Sequence, residues 1–488
     1  MNNSILYCLA RRLATALAVL LAAGVVSSGY AGKSAGSSLL SSPVPFYHDY
    51  NLASMFPVGS QAALSVEAGE AGAGRSLTVD QCIELALEKN PDHNISRQQL
   101  RAALGDILAA WGAYVPTMFA NYGLSQSNQA FPVPDPAGGS VYRGRISKSS
   151  YANLNLSFVV FDGAKKYFGL RNAYYLRKAR KKELCSSELE LVNEVRAAYF
   201  NVLREEKLLL AAREESAQLA EQLRRAEARF SVGEVTRLDV LQARIDLQNQ
   251  ELVILEYENG LVTAKMDLDR VVGGGLGAEF TLADEFEVAD PRFEIGKLVY
   301  EAVEKHPEME SLRLEIKQQE GSLWIGRLAY LPVLKTTLGY SRSQSELIMR
   351  PDDLRGRQVA FSMSWNILDA FARFQQNRYT EVALNSLKYE LEKKRLEIVR
   401  NIRQSYLDLL RLYQRRLTLA ESETMAAESL RLETRRYQLG VSSMVELRKA
   451  QADYSQARVD NINSVYDFHE ALSELSRNVG RDMSLEYE

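Results

Sequence analysis

Histidine and cysteine are nearly missing from this chain: four of the first and three of the second in 488 residues. His48, His93, His306 and His469 are scattered outside any metal-ligand spacing, and no local motif suggests a Ser/His/Asp or Cys/His grouping. No metal, no cofactor and no enzyme activity are therefore expected. Charge of one sign is lacking too. With 59 basic and 62 acidic side chains the formal charge is −3, which leaves no basic footprint for nucleic acid. Gly32-Lys33-Ser34 imitates a phosphate loop, but the required leading glycine falls at Ser27 and no strand precedes it. Long apolar runs are absent beyond the N-terminus. The one present, Leu13 to Val26, follows Arg11-Arg12 and leads into Gly29-Tyr30-Ala31. That is the pattern of a cleaved secretory signal over residues 1–31, since a membrane helix needs about 20 apolar residues. Any later membrane contact must be made by strands or by an interfacial face.

Cys8 departs with the signal, and Ile5-Leu6-Tyr7 before it lacks the small residues expected ahead of a lipid-modified cysteine. Cys82 and Cys185 remain in an oxidising compartment, either as two buried thiols or as a pair. Residues 32–75 are rich in Gly, Ser and Ala without sustained periodicity, as in a flexible lead-in. Ordered structure is expected from Ser76-Leu77-Thr78, where Ser or Thr can cap a helix running towards Lys89.

What the chain does contain is itself, twice. Tyr199 to Gly273 aligns without gaps on Tyr406 to Gly480 at an offset of 207, with 18 identities in 75 positions. Chance at ordinary composition would give roughly five. Upstream the echo continues at an offset of 216: Glu88-Lys89-Asn90-Pro91 against Glu304-Lys305-His306-Pro307, and Ala113-Tyr114-Val115-Pro116 against Ala329-Tyr330-Leu331-Pro332. A segment between the two blocks is therefore nine residues longer in the first repeat. The expected division is a first repeat over 76–273, a linker over 274–290, a second repeat over 291–480 and a tail over 481–488.

Neither Gly nor Pro occurs from Leu170 to Val232 or from Ala370 to Leu439, so each stretch can run as one uninterrupted helix. Leu189, Val192, Val195, Tyr199 and Val202 recur as Leu396, Val399, Ile402, Tyr406 and Leu409, a 3-3-4-3 spacing that makes a narrow coiled-coil seam. Gly233 and Gly440 then permit left-handed turns into returning helices, Leu238 to Val272 and Val445 to Val479.

Strands are expected where the offset changes, as hairpins over about 117–160 and 333–368. Met118, Ala120, Tyr122 and Leu124 alternate with Thr117, Asn121, Gly123 and Ser125, Phe119 being the exception, and a similar alternation runs through Ala152 to Val160, Leu334 to Tyr340 and Val359 to Ile367. Each run approximates the 9–11 residues that cross a bilayer as a tilted strand. The proline- and glycine-rich stretch Gln126 to Lys148 is expected as a loop carrying most of the nine-residue excess. Four strands cannot close a membrane barrel, so membrane insertion requires several copies.

The chain resembles the TolC family of outer membrane efflux proteins. The resemblance rests on Leu77-Thr78 with Ala86-Leu87-x-x-Asn90-Pro91, Tyr114-x-Pro116 and Tyr330-x-Pro332 before the hairpins, and Phe161-Asp162-Gly163 and Leu368-Asp369-Ala370 after them. It rests also on Arg229-Phe230-x-x-Gly233 with Asp239-Val240-Leu241, and Arg436-Tyr437-x-x-Gly440 with Glu446-Leu447. It implies a mainly α fold with a membrane β-barrel contribution: a tandem-repeat, TolC-like α/β-barrel of long helical hairpins and two β-hairpins per chain. It implies a homotrimer in outer membrane lipid, its helical tunnel extending into the periplasm, acting as the passive exit duct of an inner membrane pump of RND or ABC type. A periplasmic adaptor would dock on the tips, Gly233, Glu234 and Val235, and Gly440, Val441, Ser442 and Ser443. Asp239, Tyr437, Glu446 and Lys449 are the implied tunnel constriction, with Lys449 replacing a second acidic residue and Ser442 a basic partner; for Glu446 and Lys449 a solvated charge at a helix start stands beside that role. The competing function is a periplasmic coiled-coil spacer or adaptor without a channel.

Overall fold

The computed structural model describes residues 76–134, 136, 138–277, 280–283, 290–291, 293–345, 352–481 and 483. The expected signal (1–31), the lead-in (32–75), parts of the linker and most of the tail lie outside them.

Each repeat opens with a pair of short helices joined end to end. In the first, α1 (Val79–Lys89) starts at Thr78, whose hydroxyl accepts from the Gln81 amide while the Gln81 side chain returns the bond, a capping box. Asn90 both ends α1 and caps α2 (Pro91–Gly112), with Pro91 in the first helical position, where its missing N–H costs nothing. In the second, α5 (Ile295–Lys305) and α6 (Pro307–Leu328) meet at His306 in the same way.

The helices that follow are duplicated to the residue. Both α3 (Lys165–Ser231) and α7 (Ala372–Gln438) have 67 residues, and both return helices, α4 (Arg237–Val272) and α8 (Met444–Val479), have 36. At 1.5 Å per residue the long helices reach ~100 Å and the return helices about half of that. The arithmetic dictates the packing. Along one half α3 lies between α2 and α6, with α7 beyond α6; along the other it lies between α4 and α8, with α7 beyond α8. Among the described residues no helix is long and apolar enough to cross a membrane.

The apolar cores sit where the short pair, the long helix and the end of the return helix converge, once per repeat. Val195, Tyr199, Val202 and Leu203 pack with Cys82, Leu268 and Val272 in the first; Ile402 and Leu409 pack with Met309, Phe468, Leu475 and Met483 in the second. The Tyr199 hydroxyl lies between the carbonyls of Leu77 and Ala283, at 2.9 and 2.7 Å, and so fastens the two-residue strands β1 (Ser76–Leu77) and β4 (Thr281–Leu282), which pair in parallel. Tyr406 repeats the contact by donating to the Phe293 carbonyl at 3.1 Å. Leu396 departs from the expected seam: it is 63% exposed, because α7 is the outer helix of the layer and the buried face there runs through Ile398 and Ile402. Cys82 and Cys185 are free thiols, and burial pushes the Cys82 thiol up to about 11.

The remaining four strands, β2 (Thr117–Pro134), β3 (Ser140–Phe161), β5 (Val333–Ser345) and β6 (Asp352–Ser364), form one antiparallel sheet in the order β2-β3-β5-β6. Register aligns the apolar positions in rows across all four, as in Met118–Leu156–Leu338–Val359, and Met118 and Val359 are each 65% exposed. Two expectations need correction. Gln126 to Lys148 is not a loop: the ladder of β2 and β3 continues to Pro134 opposite Ser140, and Pro132 and Pro134 are tolerated because β2 is an edge strand. The last strand stops at Ser364 rather than near 368; the Trp365 indole instead donates to the Tyr330 carbonyl at 3.0 Å. Thr117 pairs with Ser157, 40 positions on, and Val333 with Ser364, 31 positions on, so the whole nine-residue excess lengthens the first hairpin.

Between strand and long helix the chain turns through two consecutive left-handed residues, Gly163 and Ala164 in one repeat, Ala370 and Phe371 in the other. Asp162 and Asp369 hold the corner by accepting from the Lys166 and Arg373 amides at 3.0 and 3.1 Å.

Candidate functional site

At the far end of the long helices the same turn is built twice. Gly233, at φ 82°, lets its own amide bond to Phe230 and that of Glu234 bond to Arg229, both at 3.0 Å. Gly440, at φ 73°, repeats this, its amide bonding to Tyr437 and that of Val441 to Arg436. A capping box then starts each return helix: Thr236 with Asp239, Ser443 with Glu446. The turns project apolar side chains into solvent, Val232 and Leu238 on the first, Leu439, Val441 and Val445 on the second, each more than two-thirds exposed.

Of the sequence-expected constriction residues, the structure brings two together. Tyr437 and Asp239 line one cleft of about 700 Å³ between the hairpins, walled also by Glu221, Arg225, Arg229 and Met444. Asp239 Oδ2 accepts from the Thr236 amide at 2.8 Å and its hydroxyl at 2.7 Å. Glu446 and Lys449 are exposed outside the cleft. The Glu446 carboxylate accepts from the Ser443 amide at 3.0 Å and the Ser442 hydroxyl at 2.7 Å, and these bonds hold it below its ordinary value of 4.5. Ser442 also donates to Glu433, which pairs with Arg436 at 3.0 Å.

Sequence reasoning missed what ties the hairpins together above this cleft. Arg448 on α8 meets Asp246 on α4 at 2.6 Å, Gln451 meets Gln222 on α3 at 3.0 Å, Ser455 meets Glu215 at 2.7 Å and Arg458 meets Glu214 at 2.5 Å. Higher up, Arg204 on α3 lies 3.7 Å from Asp467 and 3.3 Å from Glu470. Residues 448, 451, 455 and 458 step by three, four and three, so the stripe was legible as one polar helix face. Its partners were not, because nothing in a helix period says which neighbour it meets.

The family described as outer membrane efflux protein matches residues 82–274 and 298–481. The cobalt-zinc-cadmium resistance protein CzcC of Cupriavidus metallidurans is 21% identical over 415 residues, 83% of this chain and 90% of that protein. The outer membrane protein TolC of Vibrio cholerae is 21% identical over 411 residues, 80% of this chain and 89% of that one. The crystal structure of the Campylobacter jejuni CmeC outer membrane channel superposes with a TM-score of 0.71 at 16% identity, covering 84% of this chain and 88% of CmeC.

Proposed function

Because the chain belongs to the outer membrane efflux protein family, and so serves as an efflux channel in the outer membrane with its helices extending into the periplasm, we propose how its parts divide that work. Three copies assemble into one duct. The observation that carries this is the open four-stranded sheet, with an exposed apolar face and free edges at β2 and β6. In lipid each unpaired edge group costs several kcal/mol, and the smallest membrane barrels have about eight strands, so closure needs other copies. Three supply twelve strands. A spacer or adaptor without a channel has no use for such a sheet.

The duct is passive. A periplasmic adaptor docks on the turns at Gly233, Glu234 and Val235 and at Gly440, Val441, Ser442 and Ser443, whose exposed valines and leucines offer apolar area on a rigid capped scaffold. An inner membrane pump of RND or ABC type works through that adaptor. The polar column from Arg448 to Arg458 holds the hairpins of one chain together, and Glu446 contributes a ring of like charge that favours cations at the mouth. In vivo cross-linking from cysteines at Val235 or Ser443 tests the docking: adducts with a periplasmic protein are expected, and none from either position would remove the adaptor from the account.

A further inference from the structure

The two repeats fasten their return helices with the same pair of hydrogen bonds, made by different chemistry. In the first, Asn90 Nδ2 donates to the Val271 carbonyl at 2.8 Å while Oδ1 accepts from the Asp92 and His93 amides at 2.9 and 3.1 Å. One amide side chain thus caps the start of α2 and grips the end of α4. In the second, His306 Nδ1 accepts from the Glu308 amide at 3.3 Å, and the ring is hydrogen-bonded to the Arg477 backbone in the last turn of α8. Since Nδ1 accepts, the proton donated to the Arg477 carbonyl sits on Nε2, and the imidazole is neutral. His306 is 6% exposed, and Gly480 lies so close that a Cβ there would stand 2.8 Å from Cδ2 of the ring. The ring is therefore packed tightly on its Gly480 side.

We propose that His306 is a pH-responsive cap: proton uptake at Nδ1 sets an N–H against the Glu308 N–H and removes the cap of α6, while Nε2–H keeps its bond to the end of α8. Asn90 has no such second state, so the side chain that caps the first repeat's junction does not itself titrate. The charges facing the ring come from every packed element. Glu308 lies on α6, Lys394 and Glu397 on α7, Arg477 on α8 and Glu190 on α3, around a cavity of about 140 Å³ beside the imidazole. Burial is the largest influence and pushes His306 below its ordinary 6.5; Glu308 and the bond to the Arg477 backbone oppose this, and the charges of Lys394 and Arg477 add to it. A histidine lowered on folding stabilises the joint above its unfolded value, and that contribution is lost as pH falls through 6.5 towards the folded value.

The test is hydrogen exchange on the full chain in lipid nanodiscs, corrected for intrinsic rate, at about pH 7.5 and about pH 5. In the unaltered protein, amides 308–311 should exchange roughly fivefold or more faster at the lower pH, the factor that loss of a helix cap brings. His306→Asn installs the first repeat's chemistry and should abolish that response while keeping protection at the higher pH. The same response in both proteins, or none in the unaltered one, overturns the proposal. Should His306→Asn fail to assemble, the unaltered protein decides alone: protection at 308–311 must fall through one inflection below 6.5, and a flat profile overturns it. The readout does not depend on conduction, so it stands apart from the duct itself.

Discussion

Replacing Arg448 by serine should part the two hairpins of each chain and raise the open probability of the reconstituted channel. Arg448 Nη2 lies 2.6 Å from Asp246 Oδ1, with side chains 38% and 15% exposed. A hydrogen bond between charged groups is worth ~1.5–3 kcal/mol. Because Arg448 is more than a third exposed, solvent screening lowers that to ~1–2 kcal/mol. Truncation also leaves the less exposed Asp246 carboxylate without its cation. As 1.4 kcal/mol is a factor of ten, the equilibrium between closed and parted hairpins should shift by roughly 5- to 30-fold. Single-channel recording in planar bilayers reads this as open probability, and a double-mutant cycle assigns it to the pair. Arg448→Ser and Asp246→Ala should each raise it, and the double variant should exceed neither by much, since both remove one interaction. Independent, additive effects would show that the residues act separately. An unchanged open probability in Arg448→Ser would refute the role of the Arg448–Asp246 pair in holding the hairpins together.

Other outcomes follow from the same geometry. Glu446→Gln keeps the cap, which glutamine can also make, and should reduce cation selectivity in bilayers; because the carboxylate is held below 4.5, the unaltered channel should keep its preference down to more acid pH than that, and unchanged selectivity in the variant would sink the assignment. Ala370→Gly should stabilise by about 1 kcal/mol in denaturant unfolding, since it relieves a left-handed alanine where the first repeat already has Gly163. Tyr199→Phe should cost ~1 kcal/mol and speed amide exchange of Leu77 and Ala283, whose strands the hydroxyl fastens. Cys82, with its thiol pushed up to about 11, should resist alkylation near neutral pH in the folded protein and react only on unfolding.

Much of the fold was legible because the duplication wrote it twice. The glycine turns, the seam through Val195, Tyr199 and Ile402 and the Asn90/His306 junctions all lie at positions where sequence spacing and backbone requirement coincide. The misread places lack that coincidence. Gln126 to Lys148 has no apolar face to mark a strand, and its prolines suggest a loop until the strand is known to be an edge. Leu396 keeps the seam's spacing but not its burial, because periodicity cannot tell a covered helix side from the open side of the outermost helix. At the turns, sequence located Asp239 and Glu446 and the fold made both capping-box acceptors, Asp239 within the cleft and Glu446 outside it. The polar column had to be seen in three dimensions, since Arg448 and Asp246 are 202 positions apart.

The central claim, that copies of this chain close their sheets into one water-filled duct, is tested most directly by planar-bilayer recording of the purified full chain. Discrete, long-lived conductance steps of uniform size are the expected result. A protein that yields none, and that is recovered as a monomer from the soluble periplasm, would contradict it.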